Sequence, residues 1–282
     1  MTMTFKTLIT VDQLASNIDN QQFVIFDCRH QLGNSDYGEA EYAQSHLPHA
    51  HFACVDRDLS ARPDGRNGRH PLPDATAFAA WLGSNGVTNG AQVVGYDNAA
   101  GVYASRLWWM LRWLGHDAVA VLDGGWQAWL QAGKPTTAEV PQARQTTFTA
   151  RVRDVSVDSA YVLANLESGN MLVIDARSND RFHGQNETID PVGGHIPGAV
   201  NRAFRNNVDE HGKFRSSEEL RREFNDLIGE MPLKKVVHQC GSGVSACHNL
   251  LAMELAGMSG SRLYPGSWSE WCADPTRPVA ID

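Results

Sequence analysis

The sequence lacks the features that mark membrane proteins, disulfide-rich secreted proteins and zinc proteins. No apolar run among its 282 residues approaches the length of a membrane span. The five cysteines are an odd number at scattered positions, without a C-x-x-C pair, so they form neither a disulfide framework nor a zinc-binding pattern. The opening stretch M-T-M-T-F-K-T-L-I-T-V-D has no signal-peptide core or cleavage site. We therefore expect a protein of the reducing cytoplasm, with no metal or other cofactor.

An excess of basic residues is also absent. Lys and Arg number 24 against 32 Asp and Glu, which gives a net charge of −8 and nothing to favour a nucleic-acid or membrane partner. With 42% hydrophobic and 20% charged residues, the composition is that of a globular protein, and the length suits about two domains.

The second half of the sequence repeats the first. Four motifs recur in one order at offsets of 142 to 149 residues. The first three are F-V-I-F-D-C-R and L-V-I-D-A-R from Phe23 and Leu172, S-H-L-P-H-A and G-H-I-P-G-A from Ser45 and Gly194, and V-V-G-Y-D and V-V-H-Q-C from Val93 and Val236. The fourth is L-D-G-G-W and L-Y-P-G-S-W, which end at Trp126 and Trp268. The chain is therefore two copies of one unit.

Each copy alternates short apolar strands with helical stretches, which predicts an α/β fold with a parallel sheet covered by helices on both faces. Between the copies, the stretch 133–152 has two prolines and no helical period. We predict domains at 1–135 and 153–282, joined by a linker at 136–152.

The stretch from Val236 to Ala256 predicts a strand, a tight loop and a helix, with Cys240 at the strand's carboxyl end. The glycines at 241 and 243 let successive backbone N–H groups of the loop point inward, and the helix adds its positive end. Such a cradle favours a thiolate, so we predict that Cys240 is a nucleophile. The first copy has Asp97 at this position, and we expect that copy to be non-catalytic.

The D-x-R, G-H-I-P-G-A and G-S-W motifs, present in a tandem of α/β units, resemble those of the rhodanese sulfurtransferases over nearly the whole chain. The loop C-G-S-G-V-S most resembles that of 3-mercaptopyruvate sulfurtransferases, whereas thiosulfate-preferring enzymes have a basic loop resembling C-R-K-G-V-T. The resemblance implies two tandem rhodanese-like domains. It also implies that Cys240 takes sulfur from 3-mercaptopyruvate as a persulfide and passes it to a thiol, thioredoxin or cyanide.

The resemblance also implies roles for other residues. Backbone N–H groups of Gly241, Gly243, Val244 and Ser245 would hold the substrate sulfur and the persulfide. A proton relay would consist of Ser242, His70 in G-R-H-P-L-P, and Asp56 in V-D-R-D-L-S, with Asp58 as an alternative to Asp56.

The resemblance further assigns Arg181, in D-R-F-H-G, to substrate binding. The mercaptopyruvate enzymes usually have a second arginine nine residues later, but Asp190 stands at that place in this sequence. Either Arg181 suffices, another residue such as Arg202 or Arg205 compensates, or the donor is different.

The sequence also bears on three other functions. The missing arginine keeps thiosulfate sulfurtransferase open as an alternative, and a persulfide carrier module is another. A cysteine phosphatase needs an arginine six residues after the cysteine, where this sequence has Ala246, so that function is disfavoured.

Overall fold

The computed structural model describes residues 4–142 and 144–281, which divide into two α/β units. The first unit runs as far as Ala61, resumes over Pro73–Asp154 and includes Glu210–Phe214. The second unit consists of Arg62–Leu72, Val155–Asp209 and the chain from Arg215 onward. The segment Arg62–Leu72, which lies within the first copy in sequence, therefore belongs to the second unit.

The first unit is built on a five-stranded sheet of order β1-β5-β4-β2-β3, in which every neighbouring pair is parallel. The strand β4 is buried along its whole length, as its apolar sequence predicts for the centre of a parallel sheet. In chain order the elements are β1 (Leu8–Ile9), α1 (Val11–Ala15), β2 (Phe23–Asp27), α2 (Tyr37–Gln44), β3 (Ala50–Phe52), α3 (Ala75–Ser84), β4 (Gln92–Tyr96), α4 (Val102–Trp113), β5 (Val119–Leu122) and α5 (Gly125–Gln131).

The second unit has a four-stranded parallel sheet of order β7-β6-β8-β9. A parallel bridge from Ser156 to Leu263 lies beside β9, so the order of the second sheet repeats that of the first. The predicted duplication and α/β class are thus confirmed. The elements are α6 (Ser159–Asn165), β6 (Leu172–Asp175), α7 (Asn179–Phe182), β7 (Val200–Asn201), α8 (Ser217–Ile228), β8 (Val236–Gln239), α9 (Ser245–Leu255), β9 (Arg262–Leu263) and α10 (Ser267–Trp271), with 3-10 turns at Phe204–Asn207 and Leu233–Lys235.

The repeated D-x-R motif forms the same buried ion pair in both units. Arg29 Nη2 lies 2.7 Å from Asp27 Oδ2, and Arg177 Nη2 lies 2.6 Å from Asp175 Oδ2. Each guanidinium also lies over a tryptophan of its own unit, at 4.3 and 4.7 Å from a ring centroid. Because both copies use this pair in the same way, its role is structural.

The described part of the predicted linker has no helix and follows the first unit closely. Thr146 N–H donates to the carbonyl of Gly83 at 2.9 Å, and Arg151 N–H donates to the carbonyl of Leu114 at 2.8 Å. Among the described residues, no helix has both the length and the apolar character needed to cross a membrane.

Candidate functional site

Cys240 directly follows β8, a strand whose four residues are all buried between β6 and β9. The cysteine is 1% exposed and lies at the carboxyl end of the sheet, where ligands bind in parallel α/β folds. The helix α9 begins at Ser245, so the 241–244 turn joins the strand to the positive end of that helix. The strand, loop and helix are where the sequence predicts them.

The loop closes back on the cysteine sulfur. Gly243 N–H donates to Cys240 Sγ at 3.1 Å. Gly243 has φ +79°, and a Cβ on it would collide with the carbonyl oxygen of Pro265. Only glycine fits there, because the backbone is left-handed and the neighbouring chain passes at contact distance. This amide is in place to stabilise negative charge on sulfur.

The backbone of Cys240 is held by the first residues of α10. Cys240 N–H donates to Ser267 Oγ at 3.1 Å, and Trp268 N–H donates to the Cys240 carbonyl at 2.9 Å. Ser267 is fully buried with φ 55°, an uncommon conformation for a residue other than glycine. The first copy has Gly125 at this position, with φ 56°. Sequence reasoning missed Ser267, although the mismatch between G-G-W and G-S-W marks it.

In the first unit the equivalent loop surrounds the carboxylate of Asp97. Its Oδ1 accepts N–H groups from Ala99 and Gly101 at 2.7 and 2.9 Å. Its Oδ2 accepts those of Tyr103 and Ala104 at 2.8 and 2.9 Å. Burial raises the pKa of Asp97, and these four N–H groups oppose that shift. This loop type therefore binds an anionic group through its backbone.

Of the predicted relay, the second unit brings two members together. Ser242 Oγ and His70 Nδ1 are 2.8 Å apart, and both residues are buried. Asp56 belongs to the first unit, where its carboxylate lies 3.9 Å from His30 Nδ1 and its side chain is 36% exposed. The alternative, Asp58, accepts the Cys54 N–H at 2.8 Å and so caps its own turn.

Arg181 is gripped by two carboxylates. Glu187 accepts from its Nε at 2.9 Å and from its Nη2 at 3.0 Å, and Asp190 accepts from Nη2 at 3.0 Å. The Arg181 side chain is 17% exposed, and its guanidinium lies beside the loop: a Cβ built on Gly241 would be 3.6 Å from Arg181 Nη2.

A second arginine lies at the same loop and was missed from the sequence. The same Cβ on Gly241 would be 2.9 Å from Arg69 Nη2, while Arg69 Nη1 pairs with Asp190 at 2.7 Å. Arg69 Nε is buried and has no hydrogen-bond partner among the described residues. The available signal was its place directly before His70, in a segment that the sequence assigns to the other copy.

The two arginines considered from the sequence are used elsewhere. Arg202 is buried and pairs with Glu223 of α8 at 3.0 Å. Arg205 lies over the ring of Phe204, at 5.5 Å from its centroid. Arg69, in contrast, lies beside Gly241 together with Arg181.

The other four cysteines are all buried. Burial raises the pKa of Cys28 and Cys54, and it raises the pKa of Cys272 to about 11. Cys247, fully buried in α9, donates its S–H to the Gly243 carbonyl at 3.3 Å. All five cysteines are free of disulfide bonds.

Comparison with known proteins gives concordant matches along the chain. The family described as rhodanese-like domain matches twice, at residues 10–132 and 158–274. The chain is 44% identical over 281 residues to a probable 3-mercaptopyruvate sulfurtransferase of Pseudomonas aeruginosa, covering 99% of each. It is 38% identical over 240 residues to a thiosulfate sulfurtransferase of Cricetulus griseus, covering 82% of this chain and 78% of that protein. The solved structure of a 3-mercaptopyruvate sulfotransferase from Escherichia coli matches with a TM-score of 0.81 at 30% identity, covering 94% of this chain and 99% of that one.

Proposed function

Because the chain belongs to the rhodanese family, we propose that it is a sulfurtransferase whose donor is 3-mercaptopyruvate and whose nucleophile is Cys240. The observation that carries this proposal is the neutral loop that follows Cys240, with an N–H group on its sulfur and two arginines beside Gly241. The first copy, residues 1–135, has a carboxylate in the equivalent loop and serves as the non-catalytic partner of the copy at 153–282.

In the first step, the Cys240 thiolate attacks the sulfur of 3-mercaptopyruvate. An S–S bond forms as the substrate C–S bond breaks, and the electron pair of that bond leaves with the pyruvate enolate. The enolate then takes a proton at carbon and becomes pyruvate. Ser242 and His70, whose side chains lie 2.8 Å apart, are the groups that handle this proton.

The enzyme-bound product of this step is a persulfide on Cys240. Backbone N–H groups of Gly241, Gly243, Val244 and Ser245 stabilise its negative charge, in the way that the loop amides of the first unit hold Asp97. In the second step a thiol, reduced thioredoxin or cyanide attacks the outer sulfur and restores the Cys240 thiolate. The acceptor reaction suits the reducing cytoplasm.

The substrate carboxylate is bound by arginine. Arg181 supplies one guanidinium and Arg69 the other, so the second charge comes from the 62–72 segment and compensates for Asp190. Arg69 Nε has no partner among the described residues, which leaves it donor capacity for a ligand. A neutral loop with two arginines beside it suits a keto acid, because the loop leaves room beside the sulfur and the arginines can bind the carboxylate.

Thiosulfate is the second candidate donor, because two arginines at a loop mouth would also hold a small dianion. Steady-state kinetics with both donors distinguishes the two functions. We expect kcat/KM for 3-mercaptopyruvate to exceed that for thiosulfate, and Arg181→Ala to raise KM for 3-mercaptopyruvate by about tenfold or more through loss of a charge-assisted hydrogen bond. A kcat/KM that is about tenfold higher for thiosulfate would overturn the donor assignment. A persulfide that forms but is not passed to thiols would make the protein a carrier.

A further inference from the structure

Asp190 bridges the two arginines of the site. Its Oδ1 lies 2.7 Å from Arg69 Nη1, and its Oδ2 lies 3.0 Å from Arg181 Nη2. The Asp190 side chain is only 2% exposed, so the carboxylate shared by both pairs is shielded from water. A single carboxylate therefore joins an arginine of the 62–72 segment to an arginine of α7.

The 62–72 segment has no helix or strand of its own, and a few contacts fix its last residues. Arg69 N–H donates to Ser269 Oγ at 3.0 Å, and His70 reaches Ser242. At Gly68, with φ +86°, the chain passes so close to Gly266 that a Cβ would lie 2.7 Å from its carbonyl oxygen. The Arg69–Asp190 ion pair adds an ionic contact to these hydrogen bonds and the close packing at Gly68.

We propose that Asp190 is a positioning residue, which holds Arg69 and thereby the whole turn from Gly68 to His70 against the loop that follows Cys240. The roles of the two positioned groups, substrate binding by the Arg69 guanidinium and proton transfer by the His70 imidazole, rest on the proposed function. The anchoring itself rests only on the contacts of Asp190.

The charges explain why a carboxylate is needed at this position. Arg69 and Arg181 both lie beside Gly241, and like charges in a shielded place repel each other. Glu187 pairs with Arg181, whereas Asp190 pairs with both Arg181 and Arg69. Without it the Arg69 guanidinium would turn toward solvent and carry His70 with it.

The test compares Asp190→Asn with Glu187→Gln, two substitutions that each remove one negative charge and keep the shape. Glu187 accepts hydrogen bonds from Arg181, so Glu187→Gln removes a charge beside Arg181 and serves as the matched control. Hydrogen exchange of peptides that cover 62–72 is followed together with kcat and KM for 3-mercaptopyruvate. A charge-reversed variant, Arg69→Asp with Asp190→Arg, is measured beside them.

We expect Asp190→Asn to speed exchange in 62–72 by about tenfold and to lower kcat as well as raise KM, since both His70 and Arg69 are loosened. Glu187→Gln raises KM only and leaves exchange in 62–72 as in the wild type, and the charge-reversed variant recovers the slow exchange. Unchanged exchange in Asp190→Asn would overturn the proposal. A wild type that takes no sulfur from 3-mercaptopyruvate would instead overturn the proposed function, and the exchange result would stand separately.

Discussion

At the scale of single residues, the site depends on side chains and backbone conformations that hold one sulfur atom in place. Cys240 receives the Gly243 N–H on its sulfur and gives its own N–H to Ser267. Ser267 adopts φ 55°, a conformation that costs a residue with a Cβ about 1 kcal/mol or more. The first copy uses glycine at the same place, so the second copy carries backbone strain together with a hydroxyl beside Cys240.

This contrast gives a prediction for Ser267. Ser267→Ala keeps the strained φ and loses the hydroxyl, whereas Ser267→Gly loses the hydroxyl and relieves the strain. We expect alanine to lower the free energy of unfolding by about 1 kcal/mol more than glycine does, and both to slow persulfide formation. Urea unfolding and single-turnover release of pyruvate measure the two effects. Equal stability of the two variants would show that the left-handed backbone is not strained.

At the scale of elements, β8, its loop and α9 form the part of the site that sequence reasoning reached most directly. Their signals are local: a β-branched run, two glycines and a helical composition in adjacent residues. Arg69 and Ser267 escaped for the opposite reason. Arg69 contacts Asp190 across 121 residues of sequence, and Ser267 accepts the N–H of Cys240 across 27. Neither contact can be predicted from the adjacent residues alone.

The strand β8 also carries a buried histidine that makes stability depend on pH. His238 is fully buried, and burial lowers its pKa from 6.5 to about 3. The unfolded chain therefore binds a proton between about pH 6.5 and 3 that the folded chain does not, so stability falls as pH falls through this window.

Replacing His238 with leucine should flatten this part of the stability profile. One proton corresponds to a slope of about 1.4 kcal/mol per pH unit. The variant loses this share, while the half-buried His51 and the buried His116, whose pKa values burial also lowers, keep theirs. Urea unfolding at several pH values from 7 to 4 gives the slopes for both proteins. The comparison concerns the slopes, because the substitution also changes packing at every pH. Parallel profiles would show that His238 is protonated in the folded state.

At the scale of the whole molecule, the duplication could be predicted from four short motifs, because each repeats a structural requirement such as the Asp27–Arg29 pair. The same comparison located Asp97 opposite Cys240 and so predicted a single active site. The assignment of Arg62–Leu72 to the second unit could not be predicted, since this segment has no secondary structure and no counterpart motif in the other copy. That segment brings both Arg69 and His70 to the second unit.

We propose that Cys240 is the cysteine that accepts sulfur from 3-mercaptopyruvate. Peptide mass spectrometry after a single turnover with that donor, quenched before any acceptor is added, identifies the cysteine that carries the sulfur. We predict the gain of one sulfur atom on the Cys240 peptide, an equal amount of released pyruvate, and neither product in Cys240→Ser. Sulfur on Cys28, Cys54, Cys247 or Cys272 instead, or pyruvate release that survives in Cys240→Ser, would contradict the account.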